Sequence, residues 1–263
     1  MTQTDRASVA LTAARRGGEA ARAQFREGVA VETKGRATDY VTAADREAQR
    51  RVVETVREAF PEDAVVGEED GHDRPLPESG AAWVVDPIDG TGNYVRNLPM
   101  WATSVAAVVD GETVAAANVM PALDDEVVLA DGEVERNGDP MAVSEQTAPE
   151  TFHVAPTLWW ERDERDTYAD VCEGLVTRFD DLRRYGSAQF ALSAVATGAI
   201  EAAVSTEAGH PWDTVAGVAM VRAAGGVVTD PRGERWHPDS EGLVASNGEA
   251  HDAVLAALPD PEE

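Results

Sequence analysis

The chain has 263 residues and one cysteine, Cys172, so it is long enough to bury a full hydrophobic core, and an intrachain disulfide is excluded. Its 49 acidic and 22 basic residues give a formal net charge of −27, which disfavours binding to nucleic acid or anionic membranes. No apolar run approaches the roughly 18 residues of a membrane-spanning helix, and the first residues lack a signal-peptide pattern. We therefore expect a cytoplasmic protein with neither a nucleic-acid nor a membrane partner.

The acidic residues are spread along the whole chain, and the basic residues include a single lysine, Lys34. We interpret this composition as adaptation to a salt-rich cytoplasm. Roughly molar salt shortens the Debye length to about 3 Å and so weakens repulsion among surface carboxylates. An acidic protein from an ordinary cytoplasm is the alternative.

In the first half of the chain, the residue pattern predicts two helices followed by strands. An Ala- and Arg-rich helix is predicted over residues 5–27. A capping-box pattern, with Thr42 at the N-cap and Asp45 three residues later, begins a second helix that ends near Ala59. Asp110-Gly111 has the composition of a hairpin turn. Strands are predicted near residues 64–66, 82–86, 102–109, 113–120, 126–130 and 152–155.

In the second half, helices and strands alternate. Apolar residues at helical spacing predict a helix from Asp163 to Phe179, with Cys172 on its buried face. Ser187 is the predicted N-cap of the next helix. The remaining predicted elements are helices over 188–197, 212–224 and 248–257 and strands over 200–205, 227–229 and 243–246.

This order of elements indicates a mixed α/β (α+β) fold. A weak boundary between two tightly joined lobes lies near Asn137–Pro140. We therefore predict an N-terminal lobe over residues 1–138 and a C-terminal lobe over residues 139–263.

The most informative segment spans residues 83–91, where an apolar run leads into two acids three residues apart and then a Gly-Thr turn. The run predicts a buried strand that Pro87 and Gly90 end. Carboxylates bind hard cations, and the exposed N–H groups of a turn bind phosphate. Asp86 and Asp89 beside such a turn therefore indicate a metal-dependent enzyme acting on a phosphate ester. Ordinary Asp-Pro and Asp-Gly turns are the alternative.

Three further groups are candidates to complete a metal site. The Ile88 carbonyl is exposed by the proline-locked turn and offers another oxygen ligand. Glu68 follows a predicted strand, but an acidic run such as this is also typical of a solvated surface. Asp213 starts a helix, where a carboxylate can interact favourably with the positive end of the helix dipole instead of binding a metal. Both interpretations of Asp213 stay open.

Three motifs in the same order resemble those of the inositol monophosphatase family, the lithium-sensitive, Mg²⁺-dependent phosphatases. They are Gly-Glu-Glu at 67–69, Asp-Pro-Ile-Asp-Gly-Thr at 86–91 and Trp-Asp-x-x-Ala-Gly at 212–217. Each is weak alone, but their combination is highly specific. The resemblance implies the layered αβαβα sandwich of the sugar phosphatases, a site between two lobes, and a homodimer.

The resemblance also implies how the metal ions are held. Glu68, Asp86 and the Ile88 carbonyl would bind one Mg²⁺. Asp86, Asp89 and Asp213 would bind a second, and Glu68 would assist a loosely bound third. Mn²⁺ would substitute for Mg²⁺, and Li⁺ would inhibit.

The remaining implied roles concern the water and the substrate. Thr91 and Glu68 would orient the attacking water. Asp45 and Lys34 would lie behind these two residues and hold them in position. The phosphate would accept hydrogen bonds from the N–H groups of Gly90 and Thr91. The implied substrate contacts are Asp89, Gly90, Thr91, Ser187, Ala188, Glu207 and Asp213.

The implied function is hydrolysis of inositol monophosphate or a related sugar phosphate by metal-activated water. Fructose-1,6-bisphosphatase activity, alone or in addition, is the first alternative. A phosphoadenosine phosphate 3′-phosphatase is disfavoured because the chain is short and no adenine platform is visible. An acidic protein that binds metal only for stability is the non-enzymatic alternative.

Overall fold

The computed structural model describes residues 3–27, 31–33, 40–69, 72 and 75–259. Within these ranges the helices are α1 (Gln3–Arg22), α2 (Ala43–Ala59), α3 (Thr91–Tyr94), α4 (Arg165–Arg178), α5 (Ala188–Ala196), α6 (Pro211–Ala223) and α7 (His251–Leu255). None of these described helices combines the length and the apolar character that crossing a membrane requires.

The strands of the first half are β1 (Val31–Thr33), β2 (Tyr40–Thr42), β3 (Ala64–Gly67), β4 (Ala81–Asp89), β5 (Ala102–Val109), β6 (Glu112–Met120), β7 (Asp125–Ala130), β8 (Glu133–Arg136) and β9 (Asp139–Met141). Those of the second half are β10 (His153–Pro156), β11 (Asp181–Leu182), β12 (Ala202–Ser205), β13 (Val227–Thr229) and β14 (Leu243–Ser246).

Two sheets carry the architecture. The seven-stranded sheet has the order β3-β4-β5-β6-β7-β8-β9, in which β3 and β4 are parallel and the later neighbours are antiparallel. The five-stranded sheet has the order β11-β10-β12-β14-β13, and β10 runs parallel to both of its neighbours. β1 and β2 form a separate antiparallel pair.

Alternation along β4 explains how the large sheet is covered on both faces. Trp83 and Val85 point to one face, where they pack against α1 and α2 through residues such as Val52. Val84 points to the opposite face and belongs to a second cluster with residues of α5 and α6, such as Leu192. Helices therefore bury both sides of this sheet.

The five-stranded sheet is covered in the same way. Ala203 and Ala245 face α5 and α6, whereas Val204 and Val244 face outward onto α4 and α7, where Leu175 lies in the same cluster. The layers therefore follow the order helix, sheet, helix, sheet, helix. The αβαβα sandwich that the resemblance implied is confirmed.

Most predicted elements are present. Thr42 and Asp45 form the predicted capping box of α2, and Ser187 accepts the Phe190 N–H as N-cap of α5. The strands predicted between residues 64 and 130 pair in sequence order within the large sheet, and Asp110-Gly111 joins β5 to β6.

Several boundaries are corrected. The first helix ends at Arg22 instead of residue 27, and the last spans only His251–Leu255. β4 does not stop at Pro87, because the proline lies in a bulge, where a missing N–H is tolerated. Cys172 is half-buried rather than in the core. The pattern did not predict β1, β2, β8, β9, β11 or α3, which are short or mostly exposed.

The predicted division after residue 138 falls in the turn between β8 and β9. β9 therefore extends the large sheet beyond that point. The organisation into two lobes stays a prediction.

The close approach of α5 and α6 requires Gly217. A Cβ at this position would collide with Leu192 and lie 3.0 Å from the Gln189 Oε1 atom. We predict that Gly217→Ala lowers the free energy of unfolding by about 1–3 kcal/mol, because overpacking outweighs the gain in helix propensity. Urea unfolding measures it. Thr177→Ala on the exposed face of α4 serves as a control and should change stability by less than about 0.5 kcal/mol; equal effects of the two substitutions would contradict the prediction.

Candidate metal and phosphate site

Asp86 and Asp89 lie at the end of β4, where the strand bulges. The pairing with β5 shifts register between them. In a regular strand, residues three apart point to opposite faces, whereas an extra residue lets both point the same way. The Thr103 hydroxyl donates to the Pro87 carbonyl over 2.7 Å, and the Ile88 N–H donates to Asp86 Oδ1 over 3.0 Å. These bonds hold the bulge, which brings the two buried carboxylates to one side.

The start of α2 is joined to this strand end through Asp45. The Thr91 hydroxyl lies 3.2 Å from Asp45 Oδ1 and 2.9 Å from the carbonyl oxygen of Ile88. The other carboxylate oxygen, Asp45 Oδ2, accepts the N–H and the hydroxyl of Thr42, over 2.8 and 2.5 Å. The capping box of α2 therefore also orients Asp45 toward Thr91.

Glu68 approaches from the end of β3. Because β3 and β4 are parallel neighbours, their carboxyl ends lie at the same edge of the sheet. The buried Gln49 side chain of α2 accepts the Glu69 N–H over 3.0 Å and donates to the Glu69 carbonyl. This paired contact fixes the backbone that presents Glu68. The half-buried Glu68 carboxylate is close enough for its charge to raise the pKa of Asp86.

Asp89 binds the N-terminus of α5. Its Oδ2 atom accepts the Gln189 N–H over 2.7 Å and the Ser187 hydroxyl, and its Oδ1 atom accepts the Ala188 N–H over 3.1 Å. Burial raises the pKa of Asp89, while these donors oppose the rise. Ser187 and Ala188 were expected to contact substrate. In this structure their donors hold Asp89, so they position a candidate ligand.

Asp213 comes from the first turn of α6. The His210 N–H donates to Asp213 Oδ2 over 3.0 Å, which closes a capping box at this helix start. The His210 ring stacks on Trp212, with 4.6 Å between ring centroids. The helix-start and metal-ligand interpretations of Asp213 are thus compatible, since one oxygen caps the helix and the other can bind an ion.

These acids converge on one place. One carboxylate oxygen from each of Asp86, Asp89 and Asp213 lies within 4.8 Å of the others. Burial, followed by the charges of Glu68 and Asp89, raises the pKa of Asp86 well above its usual range. Burial, together with the charge of Asp89, raises the pKa of Asp213 to about 7. Carboxylates clustered in a buried site repel one another, and a bound cation would relieve that repulsion.

The donor set fits a hard divalent cation. It consists of carboxylate oxygens and a nearby backbone carbonyl, the ligands that Mg²⁺ and Mn²⁺ accept, and it contains no thiol or imidazole. The residues that would hold it are Glu68, Asp86, Ile88, Asp89 and Asp213.

Gly90 allows the backbone to turn directly after the acids. Its φ is 90°, and a Cβ here would lie 2.9 Å from Ser187 Cβ and 3.1 Å from the Gly186 carbonyl oxygen. α3 begins at the next residue, and the first N–H groups of a helix have no intrahelical acceptor. The Gly90–Thr91 backbone can therefore donate to an anion beside the acid cluster.

One expected site residue is not tested by the structure, and another is separated from the acid cluster. Lys34 lies outside the described residues. Glu207 follows β12 and interacts with Glu164, Thr206 and Glu161 rather than with the acid cluster; burial and the neighbouring Glu164 raise its pKa to about 7.

Three positioning residues were missed in the sequence. Gln49 and Gln189 are completely or almost completely buried, and Thr103 faces the bulge from β5. Gln189 joins α5 to α6 by donating to the Trp212 carbonyl over 2.8 Å. A glutamine within an otherwise apolar helix face was the available signal, since buried amides need partners. Nothing in the pattern distinguished Thr103 from other strand threonines.

Comparison with known proteins places this geometry in context. A profile described as the inositol monophosphatase family matches residues 2–262. A Thermotoga maritima protein named fructose-1,6-bisphosphatase/inositol-1-monophosphatase is 33% identical over 233 residues, covering 87% of this chain and 86% of that protein. An Escherichia coli protein named Nus factor SuhB is 30% identical over 256 residues, covering 96% and 95%.

A solved structure has the same architecture. The structure titled as a Thermotoga maritima IMPase superposes with a TM-score of 0.87 and 31% identity, covering 96% of each chain.

The raised pKa values predict how the metal-free protein responds to pH. Asp213 in the folded protein binds its proton up to about pH 7, whereas in the unfolded chain it loses the proton near its ordinary pKa of about 3.9. Metal-free stability therefore falls as pH rises across that window and stays low above it. We predict that Asp213→Asn in EDTA at pH 8 raises the unfolding free energy by at least about 1 kcal/mol, or roughly 2 °C in Tm.

Without metal, Asp213→Asn should be more stable than the wild type at pH 8, and Mg²⁺ should reverse this order of stability. Millimolar Mg²⁺ should raise the Tm of the wild type at pH 8, less so at pH 5, and should raise that of Asp213→Asn little at either pH. Asp170→Asn on the exposed face of α4 is the matched control and should behave like the wild type. A pH-independent Mg²⁺ effect, or equal effects in both Asp→Asn variants, would contradict the assignment.

Proposed function

This chain belongs to the inositol monophosphatase family, and from that membership we propose that it hydrolyses inositol monophosphate or a related sugar phosphate with Mg²⁺ as cofactor. As a member of the family it is a phosphatase, a phosphoric monoester hydrolase. The convergence of Asp86, Asp89 and Asp213 is the observation that carries the proposal, because two segments far apart in the sequence supply oxygens within ion-sharing distance.

The bound cations would lower the pKa of a water molecule and neutralise charge on the phosphate, which is the chemistry that such metal sites supply. The residues of the chain supply orientation. The Thr91 hydroxyl can donate its proton to Asp45 Oδ1 or to the Ile88 carbonyl, so its lone pairs remain available to accept from the attacking water. The Glu68 carboxylate would accept a hydrogen bond from the other hydrogen of that water. Together they aim its oxygen at phosphorus.

The phosphate would be held beside this water by backbone donors. The N–H groups of Gly90 and Thr91 would donate to its oxygens, where charge develops in the transition state. Asp213 would orient a second water that would give a proton to the departing alkoxide, and the hydroxide left behind would take up the proton released by the attacking water. We propose two to three Mg²⁺ per site, with Mn²⁺ as a substitute and Li⁺ as an inhibitor.

A second candidate is fructose-1,6-bisphosphatase activity, alone or in addition. It is favoured by the name of the Thermotoga maritima relative, which includes both activities. The phosphoadenosine phosphate 3′-phosphatase and the non-catalytic metal-binding protein have no such support. Rates with inositol 1-phosphate, fructose 1,6-bisphosphate and phosphoadenosine phosphate would distinguish the candidates.

Removing a carboxylate from the cluster tests the catalytic assignment. We predict that Asp86→Asn lowers kcat/KM about 100-fold or more, roughly 3 kcal/mol of lost transition-state stabilisation. Phosphate release in saturating Mg²⁺ measures it, with Asp170→Asn as the matched control. Turnover of Asp86→Asn near the wild-type rate would exclude the proposed site but would not contradict the fold.

Outside the site, we propose a homodimer, without a nucleic-acid partner, adapted to high salt. The charge of −27 supports the last two points. We predict that Tm rises steadily as KCl increases toward molar concentration, because screening reduces repulsion among surface carboxylates. Thermal unfolding curves over a KCl series measure this change in Tm, and sucrose of equal osmolality, which does not screen charge, is the control. Full stability in dilute buffer would exclude salt adaptation.

A further inference from the structure

A cavity of about 500 Å³ lies beside α6 and the strands β5, β6 and β7. The apolar side chains of its wall that remain partly exposed include Leu76, Ala219 and Ala223. Arg222, also in the wall, follows Asp213 by nine residues, which is roughly 13 Å along a helix axis. The cavity therefore lies toward the other end of α6 from the acid cluster. We call it the arginine cavity because Arg222 and Arg235 both line it.

Neither arginine of this cavity has an ion pair within the part of the chain that the structure describes. Arg222 is half-buried and donates to the Trp236 carbonyl over 2.9 Å and the Val228 carbonyl over 3.4 Å. Arg235 is exposed.

The charge balance of the cavity is opposite to that of the whole protein. Burial and the charge of Arg235 lower the pKa of Arg222, while Glu112 across the cavity opposes this. His237 lines the same space. Two arginines and a histidine thus face one glutamate. Two cations held together without an ion pair are stabilised by an anion between them.

We propose that the arginine cavity binds a small organic anion, with its phosphate, sulfonate or carboxylate group on Arg222 and Arg235 and its apolar body against α6. A volume of about 500 Å³ lies within the range of small-molecule pockets. Guanidinium groups match such anionic oxygens in geometry as well as charge. The apolar wall would then be covered by the ring or chain that carries the anion.

The test uses naphthalene-1-sulfonate, an amphipathic anion that a phosphatase cannot hydrolyse. Isothermal titration of the full chain should show one site per chain. Arg235→Gln should weaken binding about tenfold, the expected cost of losing one charge-assisted contact. This exposed residue makes no side-chain hydrogen bond among those described, so its replacement should leave Tm unchanged. Arg222→Gln should weaken binding at least as much.

Three controls separate the alternatives. Arg178→Gln, at the exposed end of α4, should bind the probe like the wild type. Naphthalene-1-methanol, which has the same ring without charge, should bind at least about tenfold more weakly. Asp213→Asn should retain wild-type affinity, because the arginine cavity is separate from the acid cluster.

Other results would overturn the proposal. They are wild-type affinity in both Arg→Gln variants of the cavity, equal binding of the uncharged ring, loss of binding in Asp213→Asn, or no binding of the sulfonate at millimolar concentration. Failure of the proposed phosphatase activity would leave this result unaffected, since the titration measures no turnover.

Discussion

The repulsion among buried carboxylates is the constraint around which the site is built. Asp86, Asp89 and Asp213 place carboxylate oxygens within 4.8 Å of one another, in surroundings that penalise every unpaired charge. A fold tolerates this arrangement only if other contacts hold the backbone around the acids in place. Three contacts do so: Thr103 holds the bulge that carries Asp86 and Asp89, the start of α5 donates to Asp89, and a capping box at α6 holds Asp213.

Asp89 shows how one side chain serves both packing and chemistry. It accepts from Ser187, Ala188 and Gln189, so the N-terminus of α5 points at the end of β4. These donors offset part of the electrostatic cost of a buried carboxylate. Gln189 then joins α5 to the first turn of α6, which carries Asp213. The middle helical layer therefore couples the large sheet to the element that completes the acid cluster.

The sequence was most informative where local chemistry alone decides structure. The capping box at Thr42, the N-cap at Ser187 and the strand before Asp86 depend on neighbours within a few residues, and all three were predicted. The bulge at Pro87 was not, because it depends on Thr103 and the pairing with β5. Local pattern likewise left Asp213 undecided, since both its roles place an acid in the first turn of a helix. The resemblance to a family, rather than periodicity, indicated the layers.

The contrast between the surface and the site bears on how an anionic substrate arrives. A protein with a charge of −27 repels phosphate esters at long range, and the acid cluster alone would add to that repulsion. Cations bound by the cluster, as proposed, would invert the local sign, and high salt would limit the surface repulsion to a few ångströms. The remaining attraction would then be short-ranged and confined to the proposed metals and the Gly90–Thr91 backbone. An acidic exterior and the proposed phosphate site are thus compatible, because an ionic strength that stabilised such a surface would also lower the electrostatic barrier to substrate encounter.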